Sequence, residues 1–216
     1  ISASSTFGFS MIAIWVGLRR FWQHCELGEV RPRHLLSAIK DAAVLRYLGD
    51  NEMEGCNDLD ESFSNHRKYY HQSVMWGFLM CFASTCVATF YDYALNLEAP
   101  YGYFSAPVLL GTVGGIGLVI GCLGLFFIKW RSDPNPLSSI QAGLDYSFIV
   151  MLFMSGASGL LLLVLRETSW MQVILAIHLS IVLSLFVLLP YSKFVHAGYR
   201  FIALIKFAKE LDNGSK

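Results

Sequence analysis

The sequence predicts an all-α integral membrane protein, a helical bundle of about five transmembrane helices. Of its 216 residues, 55% are hydrophobic and only 15% are charged, which is far more apolar than a typical soluble protein. Residues 104–128 and 148–165 contain no Asp, Glu, Lys or Arg. A helix of about 20 such residues spans the roughly 30 Å hydrocarbon core of a bilayer. The formal net charge of zero argues against nucleic acid as a partner, because phosphate binding needs a basic surface.

Five apolar stretches supply the predicted spans, which are residues 1–18, 70–95, 104–128, 143–165 and 171–195. The first is the shortest and is followed by Arg19 and Arg20. A signal peptide carries its positive charge before the apolar run, so this order predicts a membrane span instead. We therefore expect the protein to have an amino-terminal part upstream of Ile1.

The positive charges predict the orientation. Fifteen of the sixteen Lys and Arg residues lie in the segment 19–68, after the third span, or in the tail from Lys193 onward. Arg166 is the exception, on the opposite side. Because cytoplasmic loops are enriched in Lys and Arg, we predict that these three segments, and with them the carboxy terminus, are cytoplasmic.

The cytoplasmic loop 19–68 is the one long polar stretch. Its centre, 50–61, is acidic but lacks the ligand spacing of a calcium-binding EF-hand. It is either a solvated loop or a docking face for a soluble partner. His24, His34 and His66 also lie in this loop and are predicted to be ordinary surface residues.

Glycines in the third span form a pattern, GTVGGIG at 111–117, that superficially suggests dinucleotide binding. That fingerprint works only where a strand turns into a helix, and here it lies inside an apolar helix. Gly117 and Gly121 instead form a GxxxG face, which lets two helices approach closely. The five cysteines include no C-x-x-C pair, so neither a zinc site nor an iron–sulfur cluster is predicted within this chain.

Three histidines, His71, His178 and His196, lie in or at the ends of apolar spans. An ionisable side chain there is costly and usually faces the bundle interior with a partner. His178 and His196 are 18 residues apart, which is five helical turns, and this predicts two positions on one face of the last helix about 27 Å apart.

The predicted topology brings His71 and His196 to the same cytoplasmic edge, where they can be the two axial ligands of one haem b. His178 lies deeper. It either ligates a second, outer haem or hydrogen-bonds to another side chain. Three cations near the inner edge, Arg67, Lys193 and Arg200, could pair with haem propionates or anchor the protein at lipid headgroups.

Several motifs occur in the order typical of one known family: LRYL at 45–48, GCN at 55–57, YH at 70–71, CFA at 81–83, APY at 99–101, LGTVGG at 110–115, LLPY at 188–191 and KFVH at 193–196. With them the chain resembles the membrane domain of the tricarballylate-utilization protein B (citrate-utilization protein B) family. The resemblance covers nearly the whole chain.

The resemblance implies a bacterial inner-membrane electron-transfer protein with a haem b domain related to the nitrate reductase gamma subunit. It also implies an upstream ferredoxin-like part with 4Fe-4S clusters. Such a protein passes electrons from a tricarballylate-oxidising flavoprotein dehydrogenase toward the quinone pool. His71, His178 and His196 match histidines of the family. The family's Tyr-His-Tyr is Tyr-Asp-Tyr at 91–93 here, and a histidine expected near the start of the first span has no counterpart in residues 2–6.

Two other classes remain as alternatives. A transporter needs intramembrane charges along a path and broken helices in paired halves, and this chain offers only Asp92 and Asp145, both near span ends. A non-redox membrane anchor would dock a soluble dehydrogenase on the acidic loop without haem. Hydrolytic chemistry is not indicated, because no nucleophile, base and acid are predicted at a common depth.

Overall fold

The computed structural model describes residues 2–46, 65–131 and 139–214, and this part of the chain is all helical, without strands. It contains the 3-10 turn Leu189–Tyr191 and seven α-helices: α1 (Ser2–His24), α2 (Pro32–Ala43), α3 (His66–Leu95), α4 (Ala106–Arg131), α5 (Ser139–Leu165), α6 (Met171–Leu188) and α7 (Val195–Gly214). The predicted all-α class is confirmed. The acidic centre of the loop, 50–61, and the proline-rich link at 134–136 lie outside the described residues.

Four segments within the described residues are long and apolar enough to cross a membrane: His66–Leu95, Ala106–Arg131, Gly143–Leu165 and Met171–Tyr191. They correspond to the second to fifth predicted spans and indicate a membrane protein. Helix α1 is not among them, although the first span was predicted there. Its described part starts with small and mostly polar residues, Ser2 to Thr6, which lower its hydropathy.

The last predicted span, 171–195, is not one helix. Helix α6 ends at Leu188, a 3-10 turn follows, and α7 begins at Val195. Pro190 lies in that turn, and proline has no N–H for the helical hydrogen bond and clashes with the preceding turn. The prediction that His178 and His196 share a face of one continuous helix is therefore wrong.

The chain divides into two compact units, which we call the central unit (Asn57–Val182) and the terminal unit (Ile1–Cys56 with Leu183–Lys216). In the central unit, α3 and α4 approach closely through glycines. A Cβ on Gly121 would lie 2.8 Å from the carbonyl oxygen of Tyr70, and one on Gly117 would lie 3.6 Å from that of Ser73. The Ser73 hydroxyl also donates a 2.7 Å hydrogen bond to the carbonyl of Gly117. The predicted GxxxG packing is confirmed.

In the terminal unit, α2 packs on α7. The shared core consists of small and aliphatic residues that are almost completely buried, namely Leu27, Ala38, Ile202, Leu204 and Ile205. Near the start of α1, the Ser10 hydroxyl donates a 2.6 Å hydrogen bond to the carbonyl of Phe186. The stretch predicted as a loop thus contains a helix, and the stretch predicted as a tail forms the helix that packs against it.

Candidate functional site

His178 lies on α6, where its ring packs against α5 in the central unit. Its Nδ1 atom is 2.9 Å from the hydroxyl oxygen of Ser158, and Ser158 is buried. A Cβ on Gly159 would lie 3.2 Å from Cε1 of His178, so a larger residue there would crowd the ring. The run SGASG at 155–159 therefore gives α5 a small-residue face on which the imidazole rests.

The Ser158 hydroxyl has two hydrogen-bond partners, the ring of His178 and the backbone of its own helix. The Ser158 hydroxyl donates to the carbonyl oxygen of Ser155 at 3.2 Å, and a hydroxyl has one proton to donate. When the hydroxyl donates to Ser155, Nδ1–H of His178 donates to Ser158 and Nε2 carries no proton. A histidine held in this way is in the form that ligates a metal, because the bond at the second nitrogen fixes its tautomer and orientation. The pair therefore suits ligation of a metal by Nε2 of His178.

His71 lies in the second turn of α3, also in the central unit. Its ring is partly exposed and its Nδ1 atom is buried. Arg67 precedes it by one helical turn and is exposed, so the two side chains lie on the same side of α3. This places Arg67 within reach of a group bound at His71.

His196 lies at the start of α7 in the terminal unit and is exposed. Its Nδ1 atom donates to the backbone carbonyl of Lys193, because a carbonyl only accepts. Arg200 follows one turn later and is partly buried, whereas the Lys193 side chain is exposed. Lys193, His196 and Arg200 therefore lie close together at the start of α7. The pairing of His196 with His71 joins two units and stays a prediction.

His34 is not a surface residue, which corrects the sequence prediction. It is 5% exposed. Its Nδ1 atom accepts from the backbone N–H of Arg31 at 3.3 Å, and its Nε2 atom lies 3.3 Å from a carboxylate oxygen of Asp212. The physical reason is the packing of α2 on α7, which a loop and a tail would not provide. His24 and His66 are exposed, as predicted.

Arg166, the basic residue predicted on the opposite side, follows α5 and contacts the segment that joins α3 to α4. Its guanidinium donates a 2.8 Å hydrogen bond to the carbonyl of Tyr101 and lies 4.0 Å from the ring centre of Tyr103. The hydroxyl of Tyr101 in turn donates to the carbonyl of Ala88 at 3.0 Å. Partial burial raises the pKa of Tyr101, and the charge of Asp92 raises it further. The sequence shows only an isolated arginine and nearby tyrosines, so this arrangement was not predicted.

Asp145, one of the two acids considered for a transport path, forms an ion pair with Lys129. Both side chains are mostly buried, at 11% and 17% exposure, and they link the end of α4 to the start of α5. The other acid, Asp92, is exposed near the end of α3. The ion pair gives Asp145 a structural role, which is to link α4 to α5.

Comparison with known proteins gives a consistent assignment. The family model described as citrate utilization protein B matches residues 2–215. The citrate utilization protein B of Escherichia coli is 39% identical over 212 residues, which cover 98% of this chain and 56% of that protein. The chain therefore spans just over half the length of this curated relative. No solved structure matches it significantly. By its sequence, this chain belongs to the citrate utilization protein B family.

Proposed function

We propose that this chain is a membrane electron-transfer subunit that binds haem b. In this proposal it receives electrons from a tricarballylate-type flavoprotein dehydrogenase by way of iron–sulfur clusters and passes them toward the quinone pool. Membership of the citrate utilization protein B family supports a role in the use of tricarboxylates. The four apolar helices support a bilayer location. The positive-inside distribution favours a bacterial inner membrane with a cytoplasmic carboxy terminus.

The observation that carries the proposal is the His178–Ser158 pair between α6 and α5. Two apolar helices give this imidazole a hydrogen bond at Nδ1 and leave Nε2 available. Bound haem iron supplies one-electron chemistry. His178 would hold the haem iron, and Ser158 would fix the tautomer and orientation of the ring. The apolar surfaces of the two helices exclude water, which is one of the factors that set a haem potential.

His71 and His196 are the other two proposed ligands. We propose that they are the axial pair of one haem b, with His178 at a second. Arg67, Lys193 and Arg200 would then form charge-assisted hydrogen bonds with propionates. Each of the three lies within four residues of one of these histidines, Arg67 before His71 and the other two on either side of His196.

The test is a dithionite-reduced minus oxidised visible spectrum of detergent-purified protein, with pyridine haemochrome quantitation. The variants are His71→Ala, His178→Ala and His196→Ala. The matched control is His24→Ala, because His24 is an exposed histidine outside the predicted ligand set. We expect haem b in the wild type and the control, and loss of haem from each ligand variant.

The stoichiometry separates the sites. Two haems per chain, of which His178→Ala removes one, would support both sites. One haem that is lost only from the His71 and His196 variants would overturn the role of His178. Absence of haem from wild-type protein grown with ample haem supply would overturn the electron-transfer proposal, and a non-redox anchor or a transporter would replace it.

A further inference from the structure

Helix α2 has two faces, and only one of them is covered. The covered face includes the buried residues His34, Ala38 and Asp41, of which Ala38 lies in the core shared with α7. The other face exposes Leu36 at 67% and Ile39 at 48%, together with Leu35 at 41%. These three aliphatic side chains lie within about 100° of arc, since successive residues of an α-helix are about 100° apart. They form a continuous stripe, which we call the outer stripe of α2 (Leu35, Leu36 and Ile39).

Helix α2 is too short to span a membrane, so its outer stripe is not the lipid-facing side of a spanning helix. It has 12 residues and is about 18 Å long, whereas a spanning helix needs about 20 residues. Pro32 is its first residue, and the described chain leaves its helical conformation after Ala43. The stripe therefore needs a partner other than the hydrocarbon centre of a bilayer.

Helix α2 packs along the second half of α7, which follows the apolar segment Met171–Tyr191 in the chain. Three residues separate Tyr191 from Val195, where α7 begins. Lys209 of α7 donates to the carbonyl of Leu27, and Arg33 at the start of α2 pairs with Asp212. These contacts hold α2 against α7 and leave its outer stripe exposed.

Basic side chains border the outer stripe. Arg31 and Arg33 keep 55% and 54% of their side-chain surface exposed, and Lys40 is also exposed. Arg33 and Lys40 lie on one side of the stripe, and Arg31 precedes the helix on the other. Aliphatic residues flanked by cations are typical of helices that lie in the plane of a membrane surface, where the cations face anionic headgroups.

We propose that α2 lies in the headgroup region of the bilayer, with its outer stripe among the acyl chains and Arg31, Arg33 and Lys40 against lipid phosphates. The charge of the border decides between lipid and protein. Arg31 and Arg33 share one carboxylate, that of Asp212, so the three cations keep a net positive charge that is complementary to an anionic lipid surface. Such a surface also tolerates a stripe as narrow as three side chains. This role is independent of haem and of electron transfer.

The depth of two neighbouring residues tests the proposal. A nitroxide label is attached to Leu36→Cys or to Ser37→Cys, in protein whose five native cysteines have been replaced. Ser37 is the matched control because it is exposed and lies about 100° from Leu36, away from the stripe. The protein is reconstituted in liposomes that contain phosphatidylglycerol. Electron paramagnetic resonance then compares collisions with oxygen, which concentrates in lipid, and with a nickel chelate, which stays in water.

We expect the label at position 36 to favour oxygen, at a depth of about 5–10 Å below the headgroups, and the label at 37 to favour the nickel chelate. A label at 36 that favours the nickel chelate would overturn the proposal, because α2 would then lie in water. A label at 36 that is shielded from both reagents would overturn it too, because protein would then cover the stripe.

Wild-type protein provides a second measurement that does not depend on replacing cysteines. Hydrogen–deuterium exchange of α2 is compared in nanodiscs of phosphatidylglycerol and of phosphatidylcholine. We expect slower exchange across α2 with the anionic lipid, and no difference in α4, which lacks exposed cations along its apolar length. Equal exchange of α2 in the two lipids would refute the contact with anionic headgroups.

Discussion

Replacing Gly77 by alanine tests whether backbone contact between α3 and α4 stabilises the central unit. A Cβ at this position would lie 2.6 Å from the backbone nitrogen of Leu118 and 2.8 Å from the carbonyl oxygen of Gly114. Both atoms belong to helical backbone, so neither can rotate away as a flexible side chain would. The Gly77→Ala variant can relieve the overlap only by moving the two helices apart.

The size of that movement follows from the distances. Ordinary contact at a Cβ begins near 3.4 Å, so the helices must separate by about 0.8 Å, the difference between 3.4 and 2.6 Å. The Ser73–Gly117 hydrogen bond, now 2.7 Å long, would stretch to about 3.5 Å, where a hydrogen bond is effectively lost. Overpacking costs roughly 1–3 kcal/mol, and an interhelical hydrogen bond in a membrane protein contributes about 0.6 kcal/mol. We expect a destabilisation of about 2–3 kcal/mol.

The assay is unfolding in mixed micelles of a mild detergent with increasing dodecyl sulfate, followed by far-ultraviolet circular dichroism. Gly143→Ala is the matched control, since Gly143 is also in a helix of the central unit but has nothing within 4 Å of its Cβ position. Alanine there is expected to be neutral or slightly stabilising. If Gly77→Ala unfolds at the same dodecyl sulfate fraction as Gly143→Ala, the helices are not held by this contact and the reasoning is wrong.

Three further changes test other contacts. Ala38→Leu should destabilise the α2–α7 pair by roughly 1–3 kcal/mol, because Ala38 is completely buried and the added volume must overpack the core; the same unfolding assay would contradict this by showing no shift. Arg166→Lys should lower the thermal stability, since lysine keeps the charge but not the planar group over the Tyr103 ring; an unchanged midpoint would mean that charge alone suffices. Ser158→Ala should retain haem but raise its reduction potential, because His178 becomes a less basic ligand without this bond; an unchanged potential, measured by redox titration, would show that Ser158 does not tune the site.

The membrane helices could be predicted closely because long apolar runs have one stable solution in a bilayer. The second to fourth spans differ from the helices mainly at their ends, where polar residues such as His66 and Arg131 extend the helix beyond the apolar part. The break after Leu188 was missed for a different reason. Residues 171–195 remain apolar through the break, so hydropathy shows no boundary there, and Pro190 was the available signal.

The α2–α7 pair could not be predicted from local patterns. His34 and Asp212 lie 178 residues apart in the chain, and each looks like a solvated polar residue in its own segment. Their burial follows from tertiary packing of two amphipathic helices. The amphipathic pattern of α2, with His34, Ala38 and Asp41 on one face, was the signal that could have indicated a covered face.

For the candidate ligands too, one part could be predicted from the sequence and another part depends on tertiary packing. The cost of an ionisable group in an apolar helix picks out His178 from the sequence alone. Its partner does not stand out in the same way, because Ser158 is one of several small residues in the run SGASG at 155–159. A serine in a membrane helix usually bonds to its own backbone, and only the approach of α6 to α5 brings the imidazole to this hydroxyl.

Small residues fix the backbone beside both candidate ligands of the central unit. The carbonyl of Tyr70, the residue before His71, lies against Gly121 of α4. The ring of His178 lies against Gly159 of α5. Helices α4 and α5 are themselves joined where Gly115 meets Leu160. These three contacts connect His71 on α3 to His178 on α6 through α4 and α5, so a larger residue at Gly121 or Gly159 would displace the backbone or ring beside it. The glycines of α4 and α5 therefore position the two histidines as well as pack the helices.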